Sequence, residues 1–581
     1  MRMARVVVLI ASEMTRRRQR YGVNAFESYA TEILDHAGIP YTVIDHIGEV
    51  AISPPDVLIA ALTDDTEEET QRLLGYVEQG GTLIAYSGLD KLTSRLGSVR
   101  VARWETGYAT VPEAYGIFPA LRALEIHPWS VADAAARGDV VESGSVSFRE
   151  PGAAEVAPLI QSFAVGAGRI HRFSVNVPVC VVGFQQGYEP VVADGLPAPD
   201  GSAAVDEGIL KADDAHGMDW ELDRQQTASG QPYFAEPYAD LWREVAICHL
   251  LQTVVELGLT LPFTGYWPEG IEAVAMISHD SDGNRDEQAV RTLALMQELQ
   301  VRSTWCMLEP GYSSHIYERL LAEGHELAFH YNALASQGGI WSRREFDRQL
   351  DWLREAGGES GIVSNKNHYT RFEGWGELYS WCEANGIAVD QTRGPSKGGN
   401  VGFLFGTCQP YYPIAWANED NRLYEVLEIG FLTQDLDIGA PWSDSSITPF
   451  LLERVLRVGG VAHFLFHQCH IESKPDVVRA LVSFVGQARE RGLVFWTSRE
   501  IEAWVRRRRA VRIAQQADGT YTLASEAAVD GLVLWEPLAD GTAGADDADD
   551  VGCDDTAIRF GVRCRKLAYT VLVQGAGGGV E

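Results

Sequence analysis

The run Ser278-His279-Asp280-Ser281-Asp282-Gly283 follows a short apolar stretch of the chain. If residues 273–277 form a strand, the side-chain period of two turns Asp280 and Asp282 to the same side. Two converging carboxylates repel each other, and a cation or a shared proton must offset that cost. Alone, such a run equally suits a calcium loop or a helix cap. Three further segments have the same form: apolar residues, then groups able to bind metal or move protons. They are Gly324-His325-Glu326-Leu327-Ala328-Phe329-His330-Tyr331-Asn332, then Asn365-Lys366-Asn367-His368-Tyr369-Thr370-Arg371, then His463-Phe464-Leu465-Phe466-His467-Gln468-Cys469-His470. Imidazole with carboxylate is the ligand set of zinc and related divalent transition ions. One histidine of this kind is usually structural. Four strand ends that each carry a ligand or an acid–base group read as one site.

The elements that must position these groups alternate regularly from residue 271. Strand signals at 273–277, 303–307 and 326–330 alternate with helical ones at 287–299, 315–322 and 344–356. The pattern continues through 362–364, 375–385, 424–431, 449–458, 461–466, 475–491 and 493–496. Seven or eight such units predict a (β/α) barrel over 268–508, with its active site at the carboxyl ends of the strands.

This order of motifs resembles the polysaccharide-deacetylase family (NodB homology, carbohydrate esterase family four) over residues 268–508. The resemblance implies that Asp280 is the general base, Asp282 and His330 are metal ligands, and His467, in Leu465-Phe466-His467, is the general acid. It also implies a divalent transition metal, with zinc the expected ion. Three departures stand out. The adjacent Asp-Asp of the family is here Asp280-Ser281-Asp282. The family's second histidine, four residues after the first, falls on Leu334. Its R-x-P-Y segment appears as Lys366-Asn367-His368-Tyr369. His368 is therefore expected to supply the third ligand, with Asn332 as its competitor. Asp390, after residues 387–389, is expected to orient Lys366 or Arg371, and Tyr369 belongs to the substrate side of the same segment. Trp341, Trp375, Tyr411, Tyr412 and Trp416 either stack on a sugar ring or pack the barrel.

The activity implied is metal-assisted hydrolysis of an amide C–N bond, deacetylating an N-acetylated sugar or saccharide. Two alternatives stay open: hydrolysis of a non-carbohydrate C–N bond in a cyclic amide or ureide, and a non-catalytic carbohydrate-binding or assembly scaffold.

The rest of the chain is less informative. Residues 1–110 alternate strands (6–11, 41–44, 56–62, 82–86) with helices (25–36, 67–78), which predicts a doubly wound parallel sheet. This segment resembles the glutamine-amidotransferase-like (flavodoxin-like) domains. The turn after its fourth strand reads Ala85-Tyr86-Ser87-Gly88, with no cysteine and no nucleophile elbow. Ser87 is thus read as a turn residue, and the domain as structural, binding or homo-oligomerising. Residues 111–267 continue as mixed α/β. Runs 141–148 and 169–182 favour strands, 193–206 a loop and 240–257 an amphipathic helix, and a Pro/Gly cluster ends the segment at 267. Residues 509–581 turn β-rich and predict a small β-sandwich with an acidic loop at 546–555.

Eight scattered cysteines without a C-x-x-C pair read as buried thiols of a reducing compartment. Forty-eight Lys and Arg against 81 Asp and Glu give a net charge of −33, which opposes nucleic acid or an anionic membrane as partner. The short apolar run at 6–11 followed by Glu13 and Arg16–Arg18 reads as a first strand, not a signal peptide. A cytoplasmic location is expected.

Overall fold

The computed structural model describes residues 1–132, 140–205, 208–358, 361–440, 442–525, 529–539 and 556–573. The acidic loop expected at 546–555 lies outside the described residues. No described helix is long and apolar enough to cross a membrane.

The centre of the molecule is a curved, all-parallel sheet. Its order is Leu427–Glu428, Val389–Asp390, Ser364–Asn367, Glu326–Tyr331, Thr304–Met307, Val274–Asp280, Val461–Leu465, Thr433–Gln434, and Val494–Phe495 also pairs with Val274–Asp280. Strand Val274–Asp280 is buried at every residue, as a strand covered on both faces must be. Amphipathic helices cover the outside. Arg343–Ala356 buries Phe346, Gln349, Leu350 and Leu353 at helical spacing, and the Ser342 hydroxyl accepts the Glu345 N–H at its start.

The interior shows the curvature directly. Lys366 Nζ reaches Ser278 Oγ at 2.6 Å, although two strands lie between theirs. His463 Nε2 approaches the same hydroxyl at 2.8 Å. Nearer the amino ends, buried Glu326 accepts from Thr304 (2.9 Å), Ser364 (2.5 Å) and Ser498 (2.7 Å). The expected closed barrel is corrected in one respect: no ladder joins the two edge strands among the described residues. The segment read as a strand at 424–431 instead leaves one edge after Glu428 and joins the other at Thr433. Ile429 N–H donates to Asp390 and Leu432 N–H to His463 on the way.

The N-terminal region forms one nine-stranded mixed sheet. Strands Thr42–Ile44, Val6–Ile10, Val57–Leu62, Thr82–Tyr86 and Gly168–Phe173 run parallel in that order. Val156–Val165, Val140–Phe148, Trp104–Thr110 and Leu121–Ile126 extend the sheet antiparallel. The strand signal read across 169–182 divides: Gly168–Phe173 is a strand, but Val177–Gln186 is a helix. That helix is buried almost throughout and begins with Pro178 in its first turn. A helix without a polar face leaves no 3.6-residue period to read.

The C-terminal strands do not form a separate sandwich. Arg512–Gln515, Tyr521–Ser525 and Thr570–Val573 make one small sheet. Leu534–Pro537, Val562–Leu567 and Thr556–Arg559 make another, and Phe263–Thr264, from before the Pro/Gly cluster, joins its edge. A stretch of the N-terminal region also reaches the carboxyl side of the central sheet. Backbone bridges join Val191 to Gly374, Lys211 to Arg371 and Phe234 to Gly402, and Asp213 accepts from Ser396 and Asn400. The described cysteines are unpaired, and all but Cys469 are buried.

Candidate metal centre

Asp280 ends its strand and Asp282 follows in a turn that Asn284 closes with φ of 46°. Ser281 clamps this turn to the neighbouring strand: its N–H donates to Cys306 O, and its hydroxyl accepts from Leu308 N–H at 2.8 Å. His330 lies near the end of Glu326–Tyr331. Its Nδ1–H donates to Lys366 O at 2.8 Å. Because a carbonyl can only accept, Nε2 is left with its lone pair facing the carboxylates. His368 follows Ser364–Asn367, and the next two residues, Tyr369 and Thr370, hold φ of 57° and 51°. Left-handed backbone at a tyrosine and a threonine is costly and concentrates at functional sites.

Three donor atoms meet here. His330 Nε2 and His368 Nδ1 each lie 3.4 Å from Asp282 Oδ1, and 3.3 Å from each other. Ligand bonds of about 2.0–2.1 Å at tetrahedral angles place donors roughly 3.3–3.4 Å apart. Asp282 Oδ1 is also buried without a well-formed hydrogen bond. The donor types, their spacing and this orphaned oxygen fit a divalent transition ion. Asn332 does not compete: its side chain accepts Leu334 N–H at 3.0 Å and donates to Gln337, which closes a local turn. Leu334 itself is buried.

Asp280 stands beside this cluster. Its Oδ1 accepts from Lys366 Nζ at 3.1 Å, and its Oδ2 lies 3.7 Å from His330 Nε2. Burial alone would raise the Asp280 carboxyl, but Lys366, His330 and His467 outweigh it and hold it below the ordinary range. Asp282 is likewise held well down against its burial, chiefly by the neighbouring imidazoles of His330 and His368. Burial lowers His368, which favours the neutral imidazole that a metal needs.

His467 closes the other side. Its Nε2 is 3.6 Å from Asp282 Oδ2 and 4.0 Å from Asp280 Oδ2. Asp435 holds the ring twice: Oδ1 accepts the His467 backbone N–H at 2.9 Å, and Oδ2 meets Nδ1 at 2.5 Å. His470, one helical turn on, brings its Nδ1 to the same Oδ2 at 2.8 Å. Against burial, Asp435 raises His467 to about 10 and His470 to about 9, while the two imidazoles pull Asp435 down to about 2.

Other expected residues fall elsewhere. Asp390 touches neither Lys366 nor Arg371. It accepts from Asn365 and Thr392 and shares a hydrogen bond with Glu428. Arg371 pairs with Glu373, two residues away. Tyr369 is half exposed, edge-on to His368 at 4.7 Å between ring centres. Trp375, Tyr411 and Tyr412 are buried, and Trp375 stacks on Phe26 with Trp416 against it; Trp341 packs on Trp381. Trp375, Tyr411 and Tyr412 thus serve packing, while Trp341 and Trp416 are only partly buried. Sequence reasoning missed Asp435, which follows the two-residue strand Thr433–Gln434, and gave His470 no role, although its three-residue spacing from His467 was visible.

A cavity of about 690 Å3 lies at the amino-terminal side of the sheet, lined by Glu272 and Gly459 among others. It holds none of these groups. Convergence of donor atoms marks the site of chemistry better than volume does.

Fold and site together define a curved parallel α/β sheet with an Asp–His–His cluster between a carboxylate and a histidine. No protein-family model and no curated protein matches the chain. Among solved structures, the chain is similar to Agd3, described as a novel carbohydrate deacetylase, at 11% identity over 97% of each chain, with a TM-score of 0.34. It is also similar to a protein from Mycobacterium smegmatis described as a polysaccharide deacetylase (16% identity, 42% of this chain and 93% of that one, TM-score 0.32). A third is a protein from Bordetella bronchiseptica described as a polysaccharide deacetylase involved in O-antigen biosynthesis (15%, 39% and 94%, TM-score 0.27).

Proposed function

We propose that the chain is a metal-dependent hydrolase of amide C–N bonds that deacetylates an N-acetylated sugar or saccharide. The observation that carries this reading is the mutual spacing of Asp282 Oδ1, His330 Nε2 and His368 Nδ1 at 3.3–3.4 Å, flanked by Asp280 on one side and His467 on the other. The saccharide as substrate class rests on the resemblance of the motifs at 268–508.

Asp282, His330 and His368 would hold a divalent ion, zinc by the chemistry of the donors, which would supply Lewis acidity toward water and the amide carbonyl. Asp280 takes the proton of the attacking water. The cationic Lys366 beside it keeps the carboxylate ionised at neutral pH and fixes Oδ1, so Oδ2 is the oxygen that faces the cluster. His467 gives its proton to the leaving nitrogen, and Asp435 fixes the ring so that Nε2 points inward. An amine is a poor leaving group unless protonated, which is why an acid held in its charged form suits this position.

Acetate release from N-acetylglucosamine oligomers by the zinc-loaded chain tests the reading. Asp280→Asn is expected to lose about 10²–10⁴-fold in rate while retaining its metal. Full activity in that variant would remove Asp280 from the mechanism.

A further inference from the structure

A second crevice lies in the N-terminal sheet, far in sequence from the metal centre. It measures about 220 Å3 and is lined in part by Asp65, Ser87, Gly88, Leu89 and Asn176. Strand Val6–Ile10 sits between Thr42–Ile44 and Val57–Leu62, so the direction of the crossovers reverses beside it. Open parallel sheets bind ligands in the crevice outside the carboxyl ends at such a point. The crevice occupies that position.

Its walls carry unspent hydrogen-bonding capacity. Ser87, Gly88 and Leu89 hold φ of 65°, 65° and 59° in succession, an uncommon run for a chain with two non-glycine residues in it. The N–H groups of Gly88 and Leu89 make no hydrogen bond among the described residues. Asn176 is 3% exposed, and its Oδ1 has no partner. Of the acidic groups, Glu27 is tied to Arg18 and Asp90 to Arg100. Asp65 forms no ion pair among the described residues, and Lys91 and Arg100 favour its charge only from a distance.

We propose that this crevice is a second ligand site, for one sugar ring bearing a free amine. Two N–H groups, a hydroxyl and an amide suit the ring hydroxyls, and Asp65 suits the ammonium. The volume lies below the roughly 300–1,000 Å3 of sites for drug-sized ligands, so a single ring fits and an oligomer does not. An amino sugar is what deacetylation releases, and this choice of class rests on the proposed activity. The wall formed by Arg18 and Glu27 continues to Asn24 and Ala25, which hydrogen bond Ala417 and Asn421 of the catalytic half. A ligand here thus sits one contact layer from that half.

The test is calorimetric titration of the full chain with glucosamine and with N-acetylglucosamine, alongside acetate release. The parent is expected to bind one glucosamine per chain at least tenfold more tightly than the N-acetyl sugar. Asp65→Asn should weaken glucosamine at least tenfold without changing acetate release, Asn176→Ala should weaken it too, and Asp280→Asn should leave it unchanged. Asp65 is exposed, so its variant serves if Asn176→Ala does not fold. No saturable binding, equal affinity for both sugars, or loss in Asp280→Asn but not Asp65→Asn would each overturn the proposal. Glucosamine binding without acetate release would sink the deacetylase reading and leave the crevice standing.

Discussion

His368 Nδ1 lies 3.3 Å from His330 Nε2, on adjacent strand ends, with Asp282 Oδ1 equidistant from both. Two imidazole nitrogens and a carboxylate oxygen this close, with that oxygen lacking a well-formed hydrogen bond, form a set that a cation completes. Leu334, four residues after His330, is apolar and buried, and the third donor comes instead from the end of the next strand, Ser364–Asn367.

Lys366→Met is predicted to damage both stability and activity. Lys366 and Asp280 are almost fully buried and ion-paired. Removing the ammonium leaves an uncompensated carboxylate, a loss of about 3–5 kcal/mol, and lets the Asp280 pKa rise. Denaturant unfolding should show the stability loss, and the rate of acetate release at neutral pH should fall. A variant as stable as the parent would show that the pair contributes little.

Asp435→Asn should act on turnover more than on binding. The carboxylate fixes His467 through both its ring and its backbone N–H, and an amide there no longer favours the charged imidazole. The expected result is a fall in kcat of about 10²-fold or more, with KM nearly unchanged. An equal effect on KM would mean that Asp435 serves substrate binding instead.

Glu428 sets a pH dependence of stability. Burial, then the neighbouring Asp390, raises its pKa well above 4.5. Between the ordinary glutamate range and that raised value, the folded chain keeps a proton that the unfolded chain releases. Stability therefore falls as pH rises through this window, by at most about 1.4 kcal/mol per pH unit. Glu428→Gln, which cannot ionise, should flatten the slope measured by denaturant unfolding from pH 5 to 8. An unchanged slope would place the titrating group elsewhere.

Much of the central sheet and its helices was legible because its signals are local. Strands 273–277 and 326–330 and the helices at 287–299 and 344–356 lie within three residues of Val274–Asp280, Glu326–Tyr331, Asp286–Leu299 and Arg343–Ala356. Asp280, Asp282, His330, His368 and His467 do converge. What stayed hidden depends on contacts between distant segments. Asp435 follows a strand too short to have a period. Asp390 was expected to orient Lys366 or Arg371, but it lies beside Glu428, on the adjacent strand. Phe263–Thr264 reads as linker until it pairs with Leu534–Pro537. The helix Ser12–Arg20 was missed because it buries no residue and so shows no apolar face.

The central claim is tested most directly by elemental analysis of the purified chain after zinc is supplied. The account predicts about one transition metal per chain in the parent and in Asp280→Asn, and loss of that metal in both His330→Ala and His368→Ala. A parent that binds no metal, or a His368→Ala variant that keeps it, would contradict the Asp282–His330–His368 centre.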